Sequence, residues 1–285
     1  MEVTEEVPKV EEKAAEPAKA EEPAKTEEKT EEKPDEAKKT DEASTSDAQK
    51  RGQKRKREEE PFVVTEDEPE ISENYMCLDW FNSDLTLKIN KENFCNAEPF
   101  HVAAWGYIFS SARATHGFVN GKIAFQVKWT GNMEVKLDDV KEPHELRVGF
   151  STDESNLQAG ESPLSYACSN TGKKANDSNF EDFATTFTKD DVVTCLIDLD
   201  SAQVSVKFAK NDEAPVEAFT FAKTQLGGKA VFPHISSRNV KFEANFGKNK
   251  DETDKEAFFP IPDGYKMAAT CIDSAKKAMP RYISL

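Results

Sequence analysis

The chain has 285 residues and carries 54 acidic side chains against 38 lysines and arginines, so its formal net charge at pH 7 is -16. Such a chain repels the phosphate backbone of nucleic acids on average, which counts against a protein that binds them by charge alone. No apolar run approaches the ~18–20 residues of a membrane-spanning helix, and no apolar signal segment follows the N-terminus, so we predict no membrane association.

Residues 1–61 have the composition of a disordered tail. Between residues 1 and 50, 17 acidic residues are mixed with nine lysines, and the first aromatic residue of the chain is Phe62. Segments rich in Glu, Lys, Pro and Ala bury too little apolar surface to offset the entropy that is lost on ordering. We therefore predict that a long, acidic, disordered N-terminal tail precedes a globular part.

A compact basic cluster lies in this tail at residues 50–57. Its members are Lys50, Arg51, Lys54, Arg55, Lys56 and Arg57. A charge run is usually a solvated segment, but a compact and accessible cluster is also typical of nuclear-import signals. Three glutamates follow at once, within about a screening length, and offset part of any attraction to phosphate. We interpret the cluster as a signal that binds importin and directs the chain to the nucleus, with weak or indirect RNA association left open.

The globular part has the pattern of strands. Apolar and polar side chains alternate in residues 122–129, 204–208 and 240–246. Period 2 predicts strands with one buried face, whereas the continuous apolar run at residues 192–199 suits a strand that is covered on both faces. Turn-forming segments rich in Asn, Asp and Gly separate these runs. Many short strands with turns between them predict an all-β fold, an antiparallel β-sandwich.

Two further segments allow more than one interpretation. Trp105, Tyr107 and Phe109 alternate along the chain, which favours a strand face packed in the core over an exposed aromatic surface. Residues 267–279 have plausible helical character. We therefore predict that residues 268–285 form a short, partly helical C-terminal tail.

The residue types of catalytic and metal sites are dispersed along the sequence. The four histidines stand in no His-Glu-x-x-His arrangement, no Gly-x-Ser-x-Gly element occurs, and the five cysteines include no Cys-x-x-Cys pair. The cysteines are expected to be reduced thiols. The sequence thus predicts neither an enzyme, nor a metal site, nor a cofactor.

Several segments occur together in a recognisable order and spacing. They are CLDWFNSDLTLKI, ARATHGFVNGKIAFQVKW, HELRVGFS, DVVTCLIDLDSAQVSVKFAKN, VFPHISSRNVKFEANFG and FFPIPDGYKM. Jointly they resemble the SPRY domain of heterogeneous nuclear ribonucleoprotein U and its relatives, over about residues 75–267. The resemblance implies a bent antiparallel β-sandwich, and we assign residues 62–267 to a SPRY-like domain.

The chain departs from those relatives outside this domain. The tail has no apolar positions for a DNA-binding SAP helix pair, Gly227-Gly228-Lys229 is followed by Ala230 and fails as a phosphate-binding loop, and no Arg-Gly-Gly-rich segment occurs. We therefore expect a shortened form that retains the SPRY domain. Each part usually associated with nucleic-acid contact is missing from it.

The resemblance also suggests where a partner would bind. SPRY domains present a loop-built surface to short segments of other proteins and are not generally enzymes. Phe118 and the pair Arg238-Asn239 occupy loops that match this surface, where Phe118 would supply apolar area and Arg238 directional hydrogen bonds; Tyr166 is a further candidate. The alternative is that Phe118 and Tyr166 are core residues and that Arg238 forms a surface ion pair.

These features together predict a nuclear protein-interaction adaptor. Its SPRY domain would bind a peptide or protein surface of ribonucleoprotein or chromatin components. The alternative is an RNA- or DNA-binding ribonucleoprotein of the U type.

Overall fold

The computed structural model describes residues 71–249 and 256–278, which form seventeen strands and three short 3₁₀ helices. The strands are β1 (Leu78–Ser83), β2 (Leu87–Ile89), β3 (Asn96–Pro99), β4 (Ser110–Ala114), β5 (His116–Gly117), β6 (Lys122–Asn132), β7 (Glu145–Thr152), β8 (Ser165–Ser169), β9 (Lys173–Asn176), β10 (Asn179–Asp182), β11 (Val192–Asp198), β12 (Gln203–Lys210), β13 (Val216–Ala222), β14 (Val231–Arg238), β15 (Val240–Asn245), β16 (Lys266–Met267) and β17 (Lys276–Lys277). The 3₁₀ helices are Ala103–Tyr107, Lys223–Leu226 and Ala268–Ser274.

The strands form two large sheets. Sheet A has the order β1-β4-β14-β7-β8-β9-β10, and sheet B has the order β13-β12-β11-β6-β15-β3-β2. These neighbours pair antiparallel, whereas β16 joins β6 in parallel and β17 forms a small separate pair with β5. The predicted all-β, antiparallel sandwich is therefore confirmed. The strands expected from alternation, at β6, β12 and β15, are also present.

Aromatic side chains from the inner faces of both sheets fill the core. Phe125 of β6 contacts Phe150 of β7 edge to face, with 5.2 Å between ring centroids, and stacks on Phe246 at 5.9 Å. All three side chains are at most 1% exposed. Rings of this size bury the largest apolar areas available to a side chain, and tilted contacts are favourable between them. The alternation in β6 thus points every second residue into this layer.

The outer face of sheet B is covered by residues 256–267. Gln126, which is fully buried, donates from Nε2 to the carbonyl of Phe259 at 3.0 Å, and its Oε1 accepts from the amide of Phe258 at 2.7 Å. Next to it, Leu196 of β11 is buried in a small apolar cluster with Met267. This cover explains why β11 is apolar on both faces, as its sequence predicts.

The outer face of sheet A is covered by residues 153–164, between β7 and β8. The buried guanidinium of Arg113 donates to the carbonyls of Ser155 and Asn156 at 2.6 and 2.7 Å, and to Ser151 Oγ at 2.8 Å. Backbone carbonyls that leave water need such donors, because an unpaired buried carbonyl is costly. A buried cation therefore holds this loop against the sheet.

The C-terminal boundary of the domain differs from the prediction. Ala268, Ala269 and Ile272 of the last 3₁₀ helix pack into the core, and β17 pairs with β5. Residues 268–278 thus belong to the domain rather than to a tail, and the boundary at residue 267 is wrong. The apolar residues Ala268, Ala269 and Ile272 span only a short helical segment, and so short a pattern does not show in the sequence which part of the domain they pack against.

The predicted N-terminal tail, residues 1–61, lies outside the described residues. In the part of the chain that the structure describes, no helix is long and apolar enough to cross a membrane.

The close approach of β7 and β8 gives a test of the fold. A Cβ atom at Gly149 would lie 1.9 Å from the carbonyl oxygen of Tyr166, which is backbone of the neighbouring strand. We expect Gly149→Ala to lower the free energy of unfolding by roughly 1–3 kcal/mol or more, because the two strands must separate to admit the methyl group. Urea denaturation of the full chain, followed by tryptophan fluorescence, measures this change.

Gly131→Ala is the matched control, since a Cβ at that strand position meets nothing closer than 3.7 Å. A Gly149→Ala protein as stable as the wild type would contradict the strand packing described above.

Candidate functional site

Three segments of the chain meet where β14 ends and β7 begins. They are residues 100–109 between β3 and β4, residues 133–144 between β6 and β7, and the turn at Asn239 that joins β14 to β15. Arg238 is paired with Glu145 across the two strands, so the turn lies beside the start of β7. Asn239 has a φ of 57°, a left-handed conformation that asparagine tolerates better than most residues.

The side-chain amide of Asn239 ties these segments together. Its Nδ2 donates to the carbonyl of Gly106 at 2.7 Å and to the carbonyl of Pro143 at 2.8 Å. The residue is 1% exposed, so both hydrogen bonds are shielded from water. Asn239 therefore fixes the position of residues 100–109 against the rest of the domain.

Residues 100–109, the aromatic loop, expose an unusual amount of apolar surface. Phe100, Val102, Trp105, Tyr107 and Ile108 are between 41% and 66% exposed. Scattered exposed apolar residues are ordinary, but a contiguous group of large ones marks an interaction surface. The prediction that Trp105 and Tyr107 form a buried strand face is therefore wrong.

Glycine explains why the rings point outward. Residues 103–107 form a 3₁₀ helix instead of a strand, and Gly106 is its buried residue. A Cβ at Gly106 would lie 3.4 Å from the Leu137 side chain and 3.4 Å from the His101 carbonyl. The helix thus packs against the domain through Gly106, which has no side chain. The rings of Trp105 and Tyr107, on either side of it, face solvent. A glycine inside an aromatic run was the sequence signal for this arrangement.

Two arginines stack on the last residue of the loop. The Arg147 guanidinium lies 4.1 Å from the ring centroid of Phe109 and 4.8 Å from that of Phe180 on β10. Arg238 lies 5.1 Å from the same Phe109 ring. Cation–π contacts of this kind are worth about 0.5–2 kcal/mol, more as the cation loses water. Phe180 is itself 40% exposed and extends the apolar surface beyond the loop.

Carboxylates neutralise both arginines from within the domain. Glu145 accepts from Arg147 Nε at 2.8 Å and from Arg238 Nη2 at 3.0 Å. Glu161 accepts from Arg147 Nη1 at 2.9 Å. The arginine side chains are only 9% and 18% exposed. Because both cations are paired and largely buried, they stiffen the contacts between Phe109, β7 and β14 beneath the aromatic loop. They do not present free charge to a partner.

Two buried polar atoms at this site have no hydrogen-bond partner. They are Arg238 Nε and Asn239 Oδ1, among four such side-chain atoms in the described part of the chain. Buried polar atoms are nearly always paired, so each exception needs a physical reason. Here both atoms belong to side chains that already donate hydrogen bonds through another nitrogen atom, Arg238 to Glu145 and Asn239 to the carbonyls of Gly106 and Pro143.

The comparisons with known proteins agree with this architecture. A family model for the SPRY domain matches residues 125–249. The chain contains a SPRY domain. The match spans β6 to β15, so it includes Asn239 and Arg147, whereas the aromatic loop precedes it along the chain. SPRY domains are protein-interaction modules and not typically catalytic.

Curated relatives share the SPRY region. Heterogeneous nuclear ribonucleoprotein U-like protein 2 of Homo sapiens and of Mus musculus is 35% identical over 188 residues, which is 66% of this chain and 24% of each relative. The ATP-dependent RNA helicase Ddx1 of Drosophila melanogaster is 36% identical over 102 residues, which is 36% of this chain and 14% of the helicase. The chain therefore spans about a quarter of the ribonucleoprotein relatives.

Solved structures give a more distant likeness. The SPRY domain of human HERC1 aligns with a TM-score of 0.44 and 13% identity, over 62% of this chain and 99% of that one.

Phe118, predicted as an exposed anchor, lies in the core of the SPRY domain. It is 1% exposed and pairs through its backbone with Val231, at the start of β14. Arg238 ends the same strand, about 23 Å away at ~3.3 Å per residue. Phe118 and Arg238 thus belong to opposite ends of the sheet and do not form one surface. The prediction that Phe118 supplies binding area is corrected for this reason.

Tyr166 is also buried in the SPRY domain. It is 4% exposed, and its ring stacks on Phe221 with 4.3 Å between centroids and 7° between planes. Desolvation by burial raises the pKa of Tyr166 to about 12. The proposed contact of Tyr166 with a partner is therefore corrected to a packing role between the sheets.

The other predicted residues divide into two groups. Arg238 and Asn239 do lie at the aromatic loop, but they act on other parts of the domain: Arg238 pairs with Glu145, and Asn239 holds two backbone carbonyls. The basic cluster at residues 50–57 lies outside the described residues.

Two histidines of the SPRY domain form hydrogen bonds in separate places. His234 of β14 binds Ser151 and the carbonyl of Leu157, in the loop between β7 and β8, whereas His144 binds the Met133 carbonyl between β6 and β7. Burial raises the pKa of the Cys195 thiol, which keeps this side chain protonated at neutral pH. Among the described residues, no group of three His, Cys, Asp or Glu side chains is placed to hold a metal ion.

The tether made by Asn239 can be tested directly. Asn239→Gly removes the amide but keeps the left-handed turn accessible. We expect the free energy of unfolding to fall by about 1–3 kcal/mol, because the carbonyls of Gly106 and Pro143 lose their donor. The amides of residues 105–108 should then exchange hydrogen faster, as measured by mass spectrometry.

Asn120→Gly, in an exposed turn before β6, is the control and should leave exchange in the aromatic loop unchanged. Unchanged exchange in Asn239→Gly as well would show that the loop is held by other contacts.

Proposed function

We propose that the aromatic loop, together with Phe180, is the surface through which this SPRY domain binds a peptide or protein segment. The observation that carries the proposal is the exposure of five large apolar side chains within ten residues. Interface cores are enriched in Trp, Tyr and Phe, and a few such residues usually dominate the binding energy. Trp105 and Tyr107 are the residues we assign to that role.

The platform under the loop supports this function. Asn239 holds the loop backbone at Gly106, and Arg147 stacks on both Phe109 and Phe180, so it joins the loop to β10. A surface that is already ordered loses less conformational entropy on binding. In this mechanism Arg147, Arg238 and Asn239 are positioning residues, and the partner contacts the rings.

We further propose that the protein acts as a nuclear adaptor. The basic cluster at residues 50–57 would bind importin, and the partners would be components of ribonucleoproteins or chromatin. Support comes from the likeness to a relative named heterogeneous nuclear ribonucleoprotein U-like protein 2 and from the compactness of the cluster.

Direct RNA or DNA binding is the second candidate, because the relatives' names include a ribonucleoprotein and an RNA helicase. The domain offers limited positive charge to bind the phosphates of a nucleic acid. A groove of about 550 Å³ beside β2 and β3 is lined by Lys88, Lys91 and Lys241, and two of these lysines, Lys88 and Lys241, pair with Glu98 at 3.2 and 3.1 Å. Phosphate binding requires cations that are free to replace counterions. We therefore favour protein binding.

A capture experiment from nuclear extract tests the proposed surface. Full-length wild-type chain, the double variant Trp105→Ala/Tyr107→Ala and the control Val216→Ala are compared, each with and without ribonuclease. Val216 is 40% exposed on β13, at the far edge of sheet B. We expect specific proteins to be recovered by wild type and control but at least about tenfold less by the double variant, since an aromatic hot spot is worth about 2 kcal/mol or more.

The expected difference persists after ribonuclease treatment. An identical set of proteins on all three chains would remove the aromatic loop from the proposal. Recovery that disappears with ribonuclease would instead favour the nucleic-acid alternative.

The import assignment has its own test. Replacement of Lys54, Arg55, Lys56 and Arg57 by alanine in a fluorescent full-length fusion should lower the nuclear-to-cytoplasmic ratio severalfold, because importin recognises a compact cationic segment. Lys38→Ala/Lys39→Ala, which removes two other lysines of the tail, should leave the ratio unchanged. Nuclear accumulation of the four-alanine variant equal to that of wild type would disprove the assignment.

A further inference from the structure

The charges that surround the aromatic loop differ from those beneath it. Asp138, Asp139 and Glu142 lie on the neighbouring segment, and all three are exposed. Asp139 accepts a hydrogen bond from the Tyr107 hydroxyl at 2.9 Å, which places its carboxylate at the edge of the exposed ring. The hydrogen bond to Asp139 raises the pKa of Tyr107, with smaller contributions from desolvation and from the charges of Asp139 and Asp138. The rings are therefore bordered by negative potential.

These carboxylates are available to an incoming cation. Within the described part of the chain, no lysine or arginine forms a salt bridge with Asp138, Asp139 or Glu142. The same segment carries Lys136 and Lys141, so residues 134–142 contain four acidic residues and two lysines, and the aromatic loop contains no lysine, arginine or carboxylate. The two arginines beneath the loop are already paired with Glu145 and Glu161.

Exposed rings beside carboxylates that form no salt bridge favour one class of ligand. A Lys or Arg side chain is attracted by the face of Trp or Tyr and by adjacent carboxylates, and its aliphatic stem covers apolar surface. The domain already shows this chemistry internally, where the Phe109 ring lies against two guanidinium groups. An acidic segment would meet like charge, which costs affinity and slows association.

From this arrangement we infer that the partner segment on the aromatic loop is basic as well as apolar: a short peptide in which Lys or Arg stands next to large apolar side chains. The inference rests on the proposed function, since it names the chemistry of the partner that this surface takes. The apolar residues would cover Trp105, Tyr107 and Ile108, and the cations would reach Asp138 and Asp139. The same carboxylates would weaken the binding of an RNA or an acidic peptide.

Random twelve-residue peptides displayed on phage provide the test. The library is selected on the immobilised full-length chain after depletion on the Trp105→Ala chain, which removes peptides that bind only the acidic tail. We expect the enriched peptides to combine Lys or Arg with Trp, Phe, Leu or Ile. Circular dichroism checks that the variant is folded, as the half-exposed position of Trp105 leads us to expect.

Synthetic versions of the enriched peptides are then titrated by fluorescence anisotropy. Asp138→Asn/Asp139→Asn should weaken binding roughly three- to tenfold and reduce its dependence on salt, as expected for a small number of exposed charge pairs. Asp212→Asn/Glu213→Gln, which neutralises two exposed acids in the turn between β12 and β13, is the matched control and should change affinity less than twofold.

The outcomes separate the two levels of the proposal. Selected peptides that are uncharged or acidic, and that still require Trp105, would overturn the inference and leave the proposed binding surface intact. Basic peptides whose affinity is unchanged by Asp138→Asn/Asp139→Asn would also overturn it. A library that yields no peptide with preference for wild type over Trp105→Ala would overturn both the inference and the proposed function.

Discussion

The side-chain amide of Asn239 holds together the end of the domain that carries the aromatic loop. It binds the carbonyl of Gly106, which is 133 residues away in sequence, and the carbonyl of Pro143. Its left-handed backbone also allows β14 to turn into β15 at this point. The position of Trp105 and Tyr107 relative to the sheets therefore depends in part on the two donors of this buried side chain, together with the packing of Gly106 on Leu137 and the stacking of two arginines on Phe109.

Charge is arranged in two layers at this end of the sandwich. The lower layer is closed, because Arg147 and Arg238 are stacked on Phe109 and paired with Glu145. The upper layer is open and consists of exposed rings with carboxylates beside them. Cations that are buried and paired contribute rigidity, whereas unpaired surface charges determine which partner is attracted. The chemistry available to a ligand is thus set by the upper layer alone.

The SPRY match and the aromatic loop contribute different things to this surface. Residues 125–249 supply the framework, including β7, β14 and the turn at Asn239. The aromatic loop precedes that segment and supplies the exposed rings. The SPRY match identifies a protein-interaction module. Because one rigid scaffold with different loops can bind many ligands, the chemistry of the ligand must be inferred from the aromatic loop.

The sequence by itself determined the strands β6, β11, β12 and β15. Alternating or continuous apolar residues within a segment indicate whether one or both faces of that strand are buried, and this pattern can be read without knowledge of the rest of the fold. The sequence did not determine the site. Phe118 looked exposed next to a glycine and is buried, whereas Trp105 looked like part of a core strand and is exposed. Exposure of a loop residue depends on what the rest of the chain brings against it, here the packing of Gly106 on Leu137 and its hydrogen bond to Asn239. Those contacts join residues far apart in sequence, so only the tertiary structure decided where the rings point.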